Sequence, residues 1–408
     1  MPNSTGGDRG SSRGGSDDAH AGGTGGNGGT ADMPASPTGQ GGETGAGGHS
    51  SDHGGDGAGG ARIGGSGGDG QGGDGRTSPS PSPSDTALDN HADTEGKDTS
   101  PATPEPGISR IAFGSCNRLE MNQGFWPQII ATKPELFLFL GDAIYVDHDN
   151  TYPQLAAIAG FKQLMGMARP FIIWDDHDYG GNDTGASYKD KAGAKKRFLD
   201  FWSNYNGIPK DSRRYTGDAN YDAAIVGPPG KEIQILMLDN RNDKGNPPNG
   251  AVLGMQQWTW LESELRKPAR LRLVMSGMEL ISTSQTPEGW GLFKPEQQHF
   301  YDVLKSSGAK GVVVLSGDKH YCEISRRDDT GIGYPLYDFT SSPLSAPPEP
   351  LEANMYRDGA ASSISDYNFG AIAIDWSLPD PAVVIRIVHA LKGTTMLERK
   401  LTLSQLGG

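Results

Sequence analysis

Short apolar runs that stop on small or acidic residues recur along the chain. Ile111 and Phe113 lead into Gly114-Ser115-Cys116, and Leu136-Phe137-Leu138-Phe139-Leu140 ends in Gly141-Asp142. Phe171-Ile172-Ile173-Trp174 ends in Asp175-Asp176-His177-Asp178. Ile233 to Leu238 ends in Asp239, and Val312-Val313-Val314-Leu315 ends in Ser316-Gly317-Asp318. Runs this short, with no polar alternation, predict strands buried on both faces. Between them apolar residues fall at helical spacing. These are Phe198, Phe201, Trp202 and Tyr205 within 195–205; Trp258, Leu261 and Leu265 within 255–265; and Phe300, Val303 and Leu304 within 295–307. The last segment starts on Pro295 and stops before Gly308, both ordinary helix-end signals. Alternating strands and helices predict an α/β architecture. Three more strand-like runs, 371–376, 382–388 and 396–403, have no helical pattern between them. They are expected to extend a second sheet antiparallel.

In open α/β sheets ligands bind at the carboxyl ends of strands. Four such ends carry Cys116, Asp142, the Asp175–Asp178 group, and Asp318 with His320. A single Asp after a strand is usually a cap or turn residue. Several together are different, because buried carboxylates repel one another unless protons or cations neutralise them. Asp residues converging on one rim with a His, a Cys and a Tyr are best explained by metal ions.

Composition divides the chain. About half of its 61 glycines lie before Pro101, a stretch with no Val, Phe, Tyr, Trp or Cys. Such a segment cannot bury enough apolar surface to offset the entropy of ordering it. Residues 1–107 are therefore expected to form a disordered Gly/Ser/Asp/Pro tail, and 108–408 the folded domain. About 15 acids against 5 bases lie before Pro106, so most of the net charge of −14 belongs to the tail. The acid excess and the lack of a nucleic-acid-binding motif argue against that class of partner. No run approaches a membrane span, and no apolar stretch follows Met1 as a signal peptide requires. Two cysteines exclude a disulfide scaffold and form no CxxC pair. Cys322 is expected to be a core thiol, the alternative being a disulfide with Cys116.

The polar clusters carry a resemblance. Gly141-Asp142-Ala143-Ile144-Tyr145 matches the GDxxY element of purple acid phosphatases. Asp176-His177-Asp178 resembles their GNH(D/E) element with Asn replaced by Asp, and Gly317-Asp318-Lys319-His320 their GHxH element with the first His replaced by Asp. Other elements complete the set: Gly114-Ser115-Cys116, Trp174-Asp175, Leu238-Asp239-Asn240-Arg241, Gly254 through Trp258, and Ser341-Ser342-Pro343. In that order the chain from Ile108 onward resembles the PhoD-type alkaline phosphatase/phosphodiesterase family.

The resemblance implies a four-layer αββα metallophosphatase sandwich behind the Gly-rich tail. It implies hydrolysis of phosphomonoesters, phosphodiesters or both by a metal-activated hydroxide. Carried over residue by residue, it places Fe³⁺ on Cys116, Asp142, Tyr145 and His320, with Asp142 bridging to a second cation. The second site has no counterpart of the family's VxxH histidine near Val274–Met278 and is left with Asp176, Asp318 and Asn182. An all-oxygen set suits Ca²⁺ or Mg²⁺ over Zn²⁺, in agreement with the iron–calcium centre of the resemblance. His177 would stabilise the transition state or protonate the leaving oxygen. Arg241 is a candidate phosphate clamp or, equally, a structural ion pair to an acid such as Asp239. The resemblance implies an extracytoplasmic location, by a route that would need a start upstream of Met1. A non-catalytic binding module displayed on a flexible stalk is the rival from another class.

Overall fold

The computed structural model describes residues 106–408 apart from 206, 207 and 287. The expected tail lies, up to residue 105, outside the described residues. The chain runs through β1 (Arg110–Gly114), α1 (Trp126–Ala131), β2 (Leu136–Leu140), α2 (Tyr152–Ala157), α3 (Ala159–Met165), β3 (Arg169–Ile173), α4 (Asp176–Tyr179), α5 (Lys191–Trp202), β4 (Asp222–Val226) and β5 (Ile233–Met237). It continues through α6 (Met255–Leu265), β6 (Leu271–Ser276), α7 (Lys294–Ser307), β7 (Val312–Ser316), β8 (Cys322–Arg327), β9 (Leu336–Ser341), β10 (Ser363–Ile364), β11 (Asn368–Asp375), β12 (Ala382–His389) and β13 (Thr395–Thr402).

These strands form two mixed sheets. The first has the order β13-β12-β11-β1-β2-β3, with β1, β2 and β3 parallel and the three C-terminal strands antiparallel. The second has the order β10-β8-β9-β7-β6-β5-β4, with β5, β6, β7 and β9 parallel. The three C-terminal runs are strands, but they extend the sheet that contains β1. The expectation of a separate sheet is corrected by packing. Ile372, Ile374, Val383, Ile385 and Ile387 share one buried cluster with Ile111 and Phe113, so these strands continue the inner face of the first sheet.

Side-chain alternation sets four layers. Leu136, Leu138 and Leu140 point between the sheets, against Ile235, Leu273, Val313 and Leu315. Phe137 and Phe139 point outward under Trp126, Phe161, Phe198 and Trp202 of α1, α3 and α5. From the second sheet, Leu236, Val274, Val312 and Val314 pack under Trp258, Leu261, Phe300 and Leu304 of α6 and α7. Burial on both faces is why β2 and β7 read as apolar runs. Each large side chain taken from water stabilises the sandwich by about 1.5–3 kcal/mol.

Helix α5 starts earlier than its apolar stripe predicts, because the Asp190 carboxylate accepts a bond from the Gly193 amide at 3.2 Å and fixes the first turn. Helix α7 ends as predicted, with Gly308 at φ +66°. Two central strands, β6 and β9, carry polar residues that hide them from a hydrophobicity reading. Arg272 in β6 sends its guanidinium to the carbonyls of Lys267, Ala269 and Lys310. Asp338 in β9 accepts bonds from the amides of Leu280 and Ile281 and the hydroxyl of Ser316.

The parallel strands of both sheets end at one edge, where their turns interlock. Asn117 N–H donates to Asp142 O at 2.8 Å, Leu344 N–H to Ser115 O at 2.9 Å, and Gly317 N–H to Gly277 O at 3.1 Å. Most of the residues the sequence marks as chemically active lie on these turns, with Asp176 and His177 opening α4 and Asn182 just beyond it.

Candidate metal centre

The turn after β2 carries Asp142, the turn after β3 carries Asp175 and Asp176, and the turn after β7 carries Asp318. Carboxylate oxygens from these four residues all come within 4.8 Å of one another. Cys116, after β1, places Sγ 3.6 Å from Asp142 Oδ2. Tyr145 places its hydroxyl 3.0 Å from His320 Nε2. Asp142 thus meets Cys116 and the carboxylates of Asp175, Asp176 and Asp318. A ring nitrogen of His177 lies within 4.8 Å of carboxylate oxygens of Asp142 and Asp176, and Tyr145, packed against Cys116, reaches His320. The structure brings together the residues that the motifs single out.

The backbone is bent to do this. Cys116, Asp142, Asp318 and His320 all have left-handed conformations, with φ of 61°, 51°, 68° and 51°. Each such residue costs on the order of 1–3 kcal/mol and persists only where its surroundings enforce it. Four of them lie around one point, and backbone strain of this kind clusters at functional sites.

The charges are out of balance. Asp142, Asp175 and Asp176 are buried and Asp318 is half-buried. Burial, then the neighbouring Asp176, Cys116 and Asp175, drive the Asp142 carboxyl well above the ordinary carboxylate range. Burial with Glu288, Asp175 and Asp176 does the same to Asp318. Asp175 is pushed up to about 7 by burial, despite its pairing with Arg241. Burial and the charge of Asp318 push the Cys116 thiol up to about 12. Asp175 Oδ2 is buried with no hydrogen-bond partner among the described residues. Cations would relieve all of these conditions at once. The donors are of two chemical kinds, thiol, phenol and imidazole around Cys116, Tyr145 and His320, and carboxylate oxygens from Asp142, Asp175, Asp176 and Asp318, and either kind can ligate metal ions.

His177 is oriented with some precision. Its Nδ1 lies 2.7 Å from Asp147 Oδ1, and its ring stacks on Tyr145 with centroids 3.9 Å apart. Asp147 Oδ2 in turn accepts from the Asn182 amide at 3.2 Å. With Nδ1 occupied, Nε2 is left for chemistry. Against the effect of partial burial, the bond from His177 holds the Asp147 carboxyl below its usual range. Asn182 lines the cleft beside the carboxylates together with His177 and Asp142.

Arg241 is fully buried, and its guanidinium has carboxylate partners other than Asp239. Nε pairs with Asp175, and one terminal nitrogen lies 2.6 Å from Glu288, 3.8 Å from Asp176 and 3.9 Å from Asp318. Asp239 instead accepts from the amides of Arg241 and Asn242 and from the Trp174 indole. Arg241 does not line the cleft. Both cysteines are free, and Cys322 is a core thiol whose Sγ faces Ile364 O at 3.3 Å. His299 is exposed against Trp258, and His389 pairs with Asp366 away from the centre.

Asp147, Asp183 and Glu288 adjoin the site without having been singled out, and Asp175 and Lys319, quoted within the motifs, were given no role of their own. Asp147 follows Tyr145 by two residues and could have been suspected on that ground. Glu288 sits in a loop with no motif; only the fold brings it to Arg241 and Lys244, which outweigh burial and hold its carboxyl down at about 2.

Two glycines make room for the cluster. A side chain on Gly141, at φ +100°, would strike Asp175 Cβ at 2.4 Å, and one on Gly277 would meet Asp175 Oδ1 at 2.3 Å. Gly277→Ala is expected to lower stability by about 1–3 kcal/mol and to reduce metal content, measured by thermal melting and elemental analysis. An unchanged melting temperature would show that Asp175 is free to move.

No protein-family model matches the chain, and no curated protein matches it. Among solved structures it is similar to one described as the structure of PhoD. The identity is 16%, the match covers 74% of this chain and 72% of that one, and the TM-score is 0.51. It is also similar to a double mutant of Vps29 from Entamoeba histolytica, at 9% identity and a TM-score of 0.30, over 72% of this chain and 98% of that one. The likeness to PhoD concerns the fold, which is the αββα metallophosphatase sandwich the motifs imply. Among the described residues, no helix is long and apolar enough to cross a membrane.

Proposed function

We propose that the protein is a metal-dependent phosphoester hydrolase of the PhoD type, acting on phosphomonoesters, phosphodiesters or both. The observation that carries this reading is the position of Asp142, shared between a thiol–phenol–imidazole group and a carboxylate group in a metallophosphatase-like fold. Cys116, Asp142, Tyr145 and His320 would hold Fe³⁺, while Asp142, Asp176, Asp318 and Asn182 would hold Ca²⁺. Bound there, the cations would lower the pKa of a water molecule and absorb charge developing on phosphoryl oxygens.

The remaining roles belong to the chain. Asp147 fixes the His177 ring, so that Nε2 can hold a proton for the leaving oxygen. Arg241 pairs with Asp175 and Glu288 and holds them in place, which organises the carboxylates around it. The family resemblance supports an extracytoplasmic location, which fractionation of the producing cells tests directly.

The decisive experiment measures the metal content of purified protein and its turnover of para-nitrophenyl phosphate and bis(para-nitrophenyl) phosphate. Iron, calcium and turnover of at least one ester are expected. A folded, metal-loaded protein that cleaves neither would favour the binding-module reading.

A further inference from the structure

The cleft beside the carboxylates has a volume of about 300 Å³, and acids dominate its wall. A phosphoester entering it brings further negative charge. Arg241, one candidate to receive that charge, does not line the cleft. Lys319 is the one lysine or arginine among the described residues that line the cleft.

Its position is built. Lys319 sits between Asp318 and His320, both held in left-handed conformations on the turn after β7. Its Nζ donates to Thr286 Oγ1 at 2.7 Å and forms an ion pair with Glu352 Oε2 at 2.9 Å, and both partners line the same cleft. An ammonium has three N–H donors. Among the described residues these two acceptors leave it one more to give. The side chain is 2% exposed, so the ammonium sits in a site shielded from bulk water. There, hydrogen bonds to an anion are stronger than in solution.

We propose that Lys319 is the phosphate-binding cation of this cleft and favours dianionic monoesters over monoanionic diesters. The proposal rests on the phosphoester reading above. A monoester presents one more unit of negative charge than a diester, so removing a cation beside the phosphoryl group weakens the monoester more. Thr286 and Glu352 act as posts that hold the ammonium at the wall. The specificity follows from charge, and the distances above place that charge.

The test compares wild type with Lys319→Met and Lys319→Arg, with metal content and melting temperature recorded for each. Loss of one charge-assisted hydrogen bond should raise KM for para-nitrophenyl phosphate by about 10-fold or more. For bis(para-nitrophenyl) phosphate the expected change is within about 3-fold, since less charge is at stake. Lys319→Arg should restore most of the monoester affinity. Calorimetry with orthophosphate, which does not depend on turnover, should show a matching loss of affinity for Lys319→Met. Equal effects on the two esters, or unchanged orthophosphate binding at unchanged metal content, would overturn the proposal. If Lys319→Met does not fold, Thr286→Val removes one post and should shift the same ratio in the same direction by a smaller factor; no shift would overturn it. Should wild type cleave neither ester, the hydrolase reading fails, while orthophosphate binding still decides the role of Lys319.

Discussion

His177→Ala should lower kcat by about 10²–10⁴-fold while both metals stay bound. The argument is geometric. Asp147 holds Nδ1 at 2.7 Å and Tyr145 stacks on the ring at 3.9 Å, so His177 already has one nitrogen and one face committed. Its own backbone amide donates to Asp142 Oδ1 at 3.2 Å and Asp176 Oδ1 at 2.9 Å, a contact that truncating the side chain leaves intact. The carboxylates should therefore keep their places. If Nε2 supplies the leaving-group proton, the loss should be larger for an alkyl phosphate than for para-nitrophenyl phosphate, whose leaving oxygen needs no proton. Asp147→Ala acts through His177 and should cost less, about 10–100-fold, with the same leaving-group trend. Loss of iron from His177→Ala would instead make it a metal ligand, and equal loss across leaving groups would remove the acid role.

The fold was legible where physics leaves a simple trace. Strands β1, β2, β3, β5 and β7 are covered on both faces, so their buried residues are apolar apart from Gln234 in β5, and the polar residue that ends each run marks the edge of the sheet. Strands β6 and β9 are just as central, but Arg272 and Asp338 find buried partners that only the folded chain supplies. The sheet assignment of the last three strands failed for a related reason. Alternation shows which residues are buried, yet only the contact with Ile111 and Phe113 shows against what.

The site divides in the same way. Cys116, Asp142, Asp176, His177, Asp318 and His320 sit at strand ends and were visible as a pattern. Glu288, Asp183 and Lys319 reach the site from loops or from between motif positions, where spacing carries no signal. Arg241 was visible, but its role depends on which acids surround it. Its pairing with Asp175 and Glu288 is a tertiary fact.

The largest effect is expected from the metals themselves. A phenolate and a thiolate bound to Fe³⁺ absorb visible light by ligand-to-metal charge transfer, so concentrated protein should be coloured. Tyr145→Phe should shift or weaken the band, and Cys116→Ser should alter it and lower iron content. The two effects should be separable, since Tyr145 also touches His320 whereas Cys116 touches Asp142 and accepts from the Ser342 hydroxyl at 3.1 Å. The proposed second set, Asp142, Asp176, Asp318 and Asn182, offers only oxygen, so a calcium-selective chelator should remove its cation and abolish most turnover. Activity should return with Ca²⁺ and not with equimolar Zn²⁺, because Zn²⁺ prefers the nitrogen and sulfur donors that this group lacks. Asp142→Asn strikes both groups at once and should reduce kcat/KM by about 10³-fold or more, with loss of both ions. A colourless, iron-free and fully active preparation, or one restored by Zn²⁺ alone, would remove Cys116 and Tyr145 from iron binding and Ca²⁺ from the second group. Asp142→Asn with full activity would go further, since Asp142 is the carboxylate placed in both proposed sets, and the shared-ligand reading of the site would fall with it.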